Sequence, residues 1–142
     1  DAAGLPILPG LLRWREVRAG NVDHAIRFTT DVTDRRYLWP ARPQAGAVNN
    51  RNYPPMGARF RLSASFDIGS YSPHTRVILR AMQTYGLVLA DNGSPWYFQG
   101  DATNKWPTRV LDELKQIPAR AFVAVDTSSL MVDPDSAAVA TG

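Results

Sequence analysis

The chain has 142 residues, 44% hydrophobic and 20% charged, with a formal net charge of +3 and no cysteine. That is the size and balance of a single globular domain, residues 1–142, able to bury a core without staples. The missing cysteine excludes disulfides and thiolate metal sites, and no apolar run approaches the ~18 residues of a membrane span. Its cations are spread along the chain, with Arg35-Arg36 the only adjacent pair, which speaks against a nucleic-acid partner.

Residues 1–10, rich in Gly and Pro, read as an extended surface segment pinned by Leu5, Ile7 and Leu8. The opening DAAGLPILPG, without an initiator Met, reads as a processed end. Residues 11–19 suit a short helix closed by Gly20, with Trp14 and Val17 inward and Glu16 in a solvated cluster with Arg15 and Arg18. Residues 21–30 alternate as a strand, His24, Ile26 and Phe28 on one face and Asp23, Ala25, Arg27 and Thr29 on the other. A histidine beside two large apolar groups is either a hydrogen-bonded core residue or a catalyst. His24 is the strongest candidate for chemistry, whereas His74, at the start of a helix, reads as solvated.

Residues 31–36 read as a turn, and Tyr37, Leu38 and Trp39 as a short strand stopped by Pro40. Residues 42–55 have no period and read as a long loop, functional or disordered. Residues 56–66 return to strand character, with Ala58, Phe60 and Leu62 opposite Arg59, Arg61 and Ser63. The two arginines either meet an anionic ligand or lie on a solvated face beside local carboxylates.

Residues 72–99 carry the densest local signals. Ser72 is placed to cap a helix that Pro73 begins, Val77, Ile78, Ala81, Met82 and Tyr85 recur at helical spacing, and Gly86 stops it. The unbroken apolar run 87–90 suits a strand covered on both sides. Asn92-Gly93 is a hairpin signal, with Trp96, Tyr97 and Phe98 as the returning strand. A second helix from Pro107 carries Val110, Leu111, Leu114 and Ile117 as a core stripe. Residues 122–125 suggest a last strand, and 127–142 an extended tail.

No zinc, calcium-loop, P-loop or nucleophile-elbow pattern occurs, so no metal and no cofactor is expected. Asp101 with Asn104, and Asp133 with Asp135, offer only oxygen ligands without calcium-loop spacing. A glycan-cleaving site needs two carboxyl groups about 5–10 Å apart; Glu16, Asp67 and Asp91 are the possible members. Asp91, at the strand end, has turn hydrogen bonding as its ordinary role. Trp14, Trp39, Trp96 and Trp106, with Tyr37, Tyr53 and Tyr97, offer flat faces for sugar rings or for the core.

The strings GLPILPGLLRWREVRAGNVDHAIRFT, YLWPAR, PPMGARFRLSASFDI, YGLVLADNGSPWYFQG and FVAVDTSSLMVDPDS resemble the C-terminal half of an uncharacterised family of secreted bacterial and fungal proteins. The resemblance implies an extracellular setting, a polysaccharide association and a further N-terminal partner segment. It carries to this chain His24 in DHAIRFT, Arg42 in WPAR, Arg59 and Arg61 in GARFRL, and Asp91 with Asn92 in ADNG. In that family WPAR often continues with His, where this chain has Pro43, so a second imidazole is missing there.

The expected fold is α+β: a mainly antiparallel sheet of segments 23–30, 36–39, 57–63, 87–91, 96–99 and 122–125, covered by helices 73–85 and 107–116. The leading functional expectation is an extracellular glycan-directed protein, with a cleft near His24, Asp91 and Arg59 flanked by Trp39 and Trp96, and with Arg42, Arg61 and Asn92 as further substrate contacts. As an enzyme it would be a glycoside hydrolase or polysaccharide lyase working through His24 and a carboxylate. The alternative is a non-catalytic module that binds polysaccharide or assembles with copies of itself.

Overall fold

The computed structural model describes residues 3–38, 41, 48, 50, 52–93 and 97–127, with the side chains of 35–37 excepted. The expectations for Trp39, Arg42, Trp96, most of the 42–55 loop and the tail beyond residue 127 lie outside the described residues.

A single turn of 3-10 helix at Leu8–Gly10 precedes α1, Trp14–Ala19; β1 is Ile26–Thr30, β2 Asp34–Tyr37, β3 Pro55–Met56 and β4 Arg59–Leu62. Then come α2, Pro73–Thr84; β5, Leu87–Asn92; β6, Tyr97–Phe98; α3, Thr108–Lys115; a second 3-10 turn at Ala119–Ala121; and β7, Phe122–Val125. The main sheet has the order β6-β1-β5-β4-β7, while β2 and β3 form a separate parallel pair.

The main sheet is mostly antiparallel, as expected, but it is mixed. β1 runs parallel to β5, and the other pairings are antiparallel. The Asn92-Gly93 hairpin does not form, because β6 pairs with β1 and not with β5. β1 is buried along its whole length, and β5 is buried from Leu87 to Ala90. Apolar strands of this kind are most stable in the middle of a sheet, and pairing them outweighs a local turn preference. Gly93 packs close instead to β1, where a Cβ would lie 3.0 Å from Thr29 Oγ1. The expected strand 36–39 is also corrected, since β2 starts earlier and stays outside the main sheet.

Register sorts the sheet into two faces, because directly opposed residues point the same way. Ile26 opposes Leu87, Phe28 opposes Leu89 and Phe98, and Leu62 opposes Phe122. Ile26, Phe28, Leu62, Leu87 and Leu89 join Ile78, Leu79 and Met82 of α2 and Val110 and Leu114 of α3 in one buried cluster. The rings of Phe98 and Phe122, on the two outermost strands, come within 6.3 Å, so the sheet curls around this core. The alternation of Phe60 and Leu62 against Arg59 and Arg61 is as the strand pattern required.

α2 follows its signals closely. It begins at Pro73 and stops before Gly86, whose φ of 80° and 2.3 Å Cβ approach to the Phe60 carbonyl oxygen admit no side chain. Tyr85, expected on the buried face, is exposed. Ser72 stands at the N-cap, but its side chain caps no backbone N–H. Instead its backbone N–H donates to Glu113 Oε2 at 2.9 Å, and its hydroxyl and that of Thr75 donate to Glu113 Oε1. The carboxylate of α3 thus closes the N-terminus of α2, where the helix dipole favours negative charge.

The N-terminal segment crosses the outer face of the sheet. Ala3, fully buried, donates its N–H to the Ala90 carbonyl, and Leu12 bridges to Gly100. Leu5 packs against the core, whereas Ile7 and Leu8, expected to be pinned, are exposed.

Candidate functional site

The residues expected to share a cleft are spread over three places. His24 lies just before β1, and Asp91 sits near the far end of β5, opposite Thr29. Five residues along an extended strand separate these levels by about 16 Å. His24 and Asp91 therefore form no acid–base pair.

His24 is engaged locally. Its Nδ1 lies 2.9 Å from the Ala25 carbonyl oxygen and its Nε2 3.1 Å from Glu16 Oε2. The same carboxylate oxygen accepts the Arg13 N–H at the start of α1. Glu16, expected in a solvated cluster, is instead a half-buried tie between α1 and the entry to β1. His74, expected to be solvated, meets Trp14 edge-on at 4.9 Å.

Asp91 lies in the field of a buried cation. Arg27, expected on the polar face of an ordinary strand, is only 2% exposed. Its Nε donates to Gln99 Oε1 at 2.7 Å and its Nη1 to the Pro6 carbonyl at 3.1 Å. Burial lowers the Arg27 pKa from its ordinary value, and the nearby Asp91 carboxylate opposes that shift. Gly10 packs so tightly over the arginine stem that a Cβ there would lie 2.2 Å from Arg27 Cγ. This cluster secures the N-terminal segment to the sheet. Asp91 Oδ1 also accepts the Asn92 N–H, and Asn92 Oδ1 accepts the Thr33 hydroxyl, so both have strand-end structural work.

Arg59 and Arg61 occupy the outer face of β4, Arg59 half-buried and Arg61 exposed. Burial lowers the Arg59 pKa from its ordinary value.

The structure adds a cleft of about 450 Å³ between β6, the loop after it and α3. Tyr97 and Phe98 form one wall, the loop with Asp101, Thr103, Asn104 and Trp106 the floor, and Leu111, Leu114 and Lys115 the other wall. Its volume falls in the range of small-ligand sites. Tyr97 is 60% exposed and Leu111 43%, so an aromatic and an aliphatic side chain flank the opening.

The floor is rigidly built. Asp101 Oδ1 accepts the Trp106 Nε1–H at 3.0 Å and the Trp14 N–H at 3.1 Å, joining the loop to the start of α1. Trp106 leans on Trp14 with ring centroids 5.3 Å apart. Gly100 keeps the loop close, since a Cβ would lie 3.2 Å from Trp106 Cζ2. Leu12 donates its N–H to the Gln99 carbonyl at 3.0 Å and accepts the Asp101 N–H at 2.9 Å across this loop.

The cleft is not legible in the sequence, because Leu111 shares the helical period of Val110 and Leu114 and reads as core. Tyr97 was visible only as one of seven candidate aromatic residues. Among the described residues no three His, Cys, Asp or Glu side chains converge as metal ligands. Among them also, no helix is long and apolar enough to cross a membrane. No protein-family model matches the chain, and no curated protein or solved structure shows significant similarity to it.

Proposed function

We propose that the protein is an extracellular glycan-binding module whose ligand lies in the cleft between β6 and α3. The observation that carries this reading is the pairing of the exposed Tyr97 ring with polar groups of Thr103, Asn104 and Lys115 in one preformed hollow. A sugar ring has an apolar face of C–H groups and a hydroxyl edge, and it is complementary to an aromatic side chain flanked by donors and acceptors. The secreted setting is supported by the family resemblance alone.

Binding without cleavage is favoured over hydrolysis by the carboxylates. Asp101 is the one acidic residue lining the cleft among the described residues, and its Oδ1 already accepts two N–H groups. Hydrolysis by the usual route needs a second carboxyl group across the sugar. The His24–Glu16 pair lies outside the lining.

Tryptophan fluorescence titration against a panel of neutral and acidic oligosaccharides tests this, with Trp106 as the reporter in the floor. Saturable binding is expected, with affinity about tenfold weaker in Tyr97→Ala, the loss of one aromatic contact of about 1.4 kcal/mol. No release of reducing ends or unsaturated products should accompany it. A panel with no saturable ligand, or wild-type affinity in Tyr97→Ala, would reject the cleft as a glycan site.

A further inference from the structure

We infer that the outer face of β4 and β7 is a second binding surface, one that takes an anionic polysaccharide by pairing its carboxylate or sulfate groups with Arg59 and Arg61. The two arginines are two residues apart on one strand, so their backbones are separated by about 6.7 Å and their side chains leave the same face. Arg59 lies between Val88 and Val125, and Arg61 opposes Val123. Val123 is 55% exposed and Val125 40%, giving a cationic pair beside an open aliphatic floor.

Among the described residues the charge of this pair is not balanced locally. The described carboxylates of Glu16 and Glu113 meet His24 and Arg109, and no described carboxylate is within hydrogen-bonding distance of either arginine. Arg27 shows the contrast. It shares a cross-strand row with Arg59 through Val88, yet it has Gln99, the Pro6 carbonyl and the field of Asp91. Burial disfavours the charged form of Arg59. Two like charges held side by side repel, and an anion between them removes that repulsion while gaining charge-assisted, bidentate hydrogen bonds.

The aliphatic floor favours a sugar polymer over a nucleic acid. Valine side chains pack against the C–H faces of pyranose rings, whereas single-stranded nucleic acids need aromatic stacking platforms and duplexes need many phosphate contacts. The surface is distinct from the cleft and does not depend on it, because none of its residues lines the cleft.

The test is binding of the full chain to polygalacturonate, dextran sulfate, neutral dextran and duplex DNA at one ionic strength. Arg59→Gln, Arg61→Gln and Arg80→Gln variants are compared. Arg80, exposed on α2, is the control for non-specific charge. Binding to either acidic polysaccharide, falling about tenfold in Arg61→Gln but not in Arg80→Gln, supports the assignment. The polymer that responds identifies the anionic group. Arg61 is exposed, so its variant keeps the test valid if Arg59→Gln fails to fold. Wild-type affinity in Arg61→Gln, an equal loss in Arg80→Gln, or equally tight binding to neutral dextran or DNA would overturn it.

Discussion

Replacing Glu113 by Gln probes the joint that fixes the α3 wall of the cleft. The carboxylate accepts the Ser72 N–H, the Ser72 hydroxyl and the Thr75 hydroxyl, and it lies 3.2 Å from Arg109 Nε. Its side chain is 12% exposed, while that of Arg109 is 75% exposed, so the arginine contributes little after solvent screening. A hydrogen bond to a charged group is worth about 1.5–3 kcal/mol net, and a negative charge at a partly buried helix N-terminus up to about 2. Gln keeps one acceptor oxygen but presents an amide to the other donors. The net loss is therefore about 2 kcal/mol, or about 1 M in urea midpoint for a domain of this size.

The pH dependence has a definite sign. Burial alone would raise the Glu113 pKa, but the Ser72 hydroxyl and N–H, the Arg109 charge and the Thr75 hydroxyl together hold it below its ordinary value. On acidification the unfolded chain takes up this proton first. The stabilisation is fully present above the unfolded carboxyl value of about 4.3 and is lost as pH falls through the lower folded value. Urea unfolding of the wild type and Glu113→Gln should differ by about 2 kcal/mol at pH 7, the gap closing below pH 4. A gap under about 0.5 kcal/mol at neutral pH, or one that persists at low pH, would refute the proposed charge-assisted cap.

Two further substitutions test the buried arginine and the end of α2. Arg27→Met preserves much of the stem but leaves the Pro6 carbonyl and Gln99 without their donor. Its expected cost is about 2–4 kcal/mol by urea unfolding, with earlier proteolysis in residues 3–12; unchanged stability would contradict the securing role. Gly86→Ala combines a left-handed backbone with a Cβ 2.3 Å from the Phe60 carbonyl oxygen. A loss of about 3 kcal/mol or more in unfolding free energy is expected, and a loss below about 1 would mean that α2 and β4 readily separate.

Elements whose signals are local can be read directly from the residues. Pro73 and Gly86 bound α2 because one gives up an unneeded donor and the other takes a positive φ. The alternation in β4 and the unbroken apolar run of β5 specify which side chains must be buried. Tertiary structure alone decided what those elements meet. Asn92-Gly93 favours a hairpin locally, yet β1 lies between the strands it would join, because burying both apolar strands side by side outweighs one turn. Arg27 reads as a polar-face residue until the segment around Pro6 and Gly10, some twenty residues earlier, folds over it. Leu111 has the period of a core residue, but helical spacing places a side chain on a stripe and does not say where the neighbouring element stops. Its exposure, and with it the cleft, depends on the distance between α3 and β6, which arises from long-range packing.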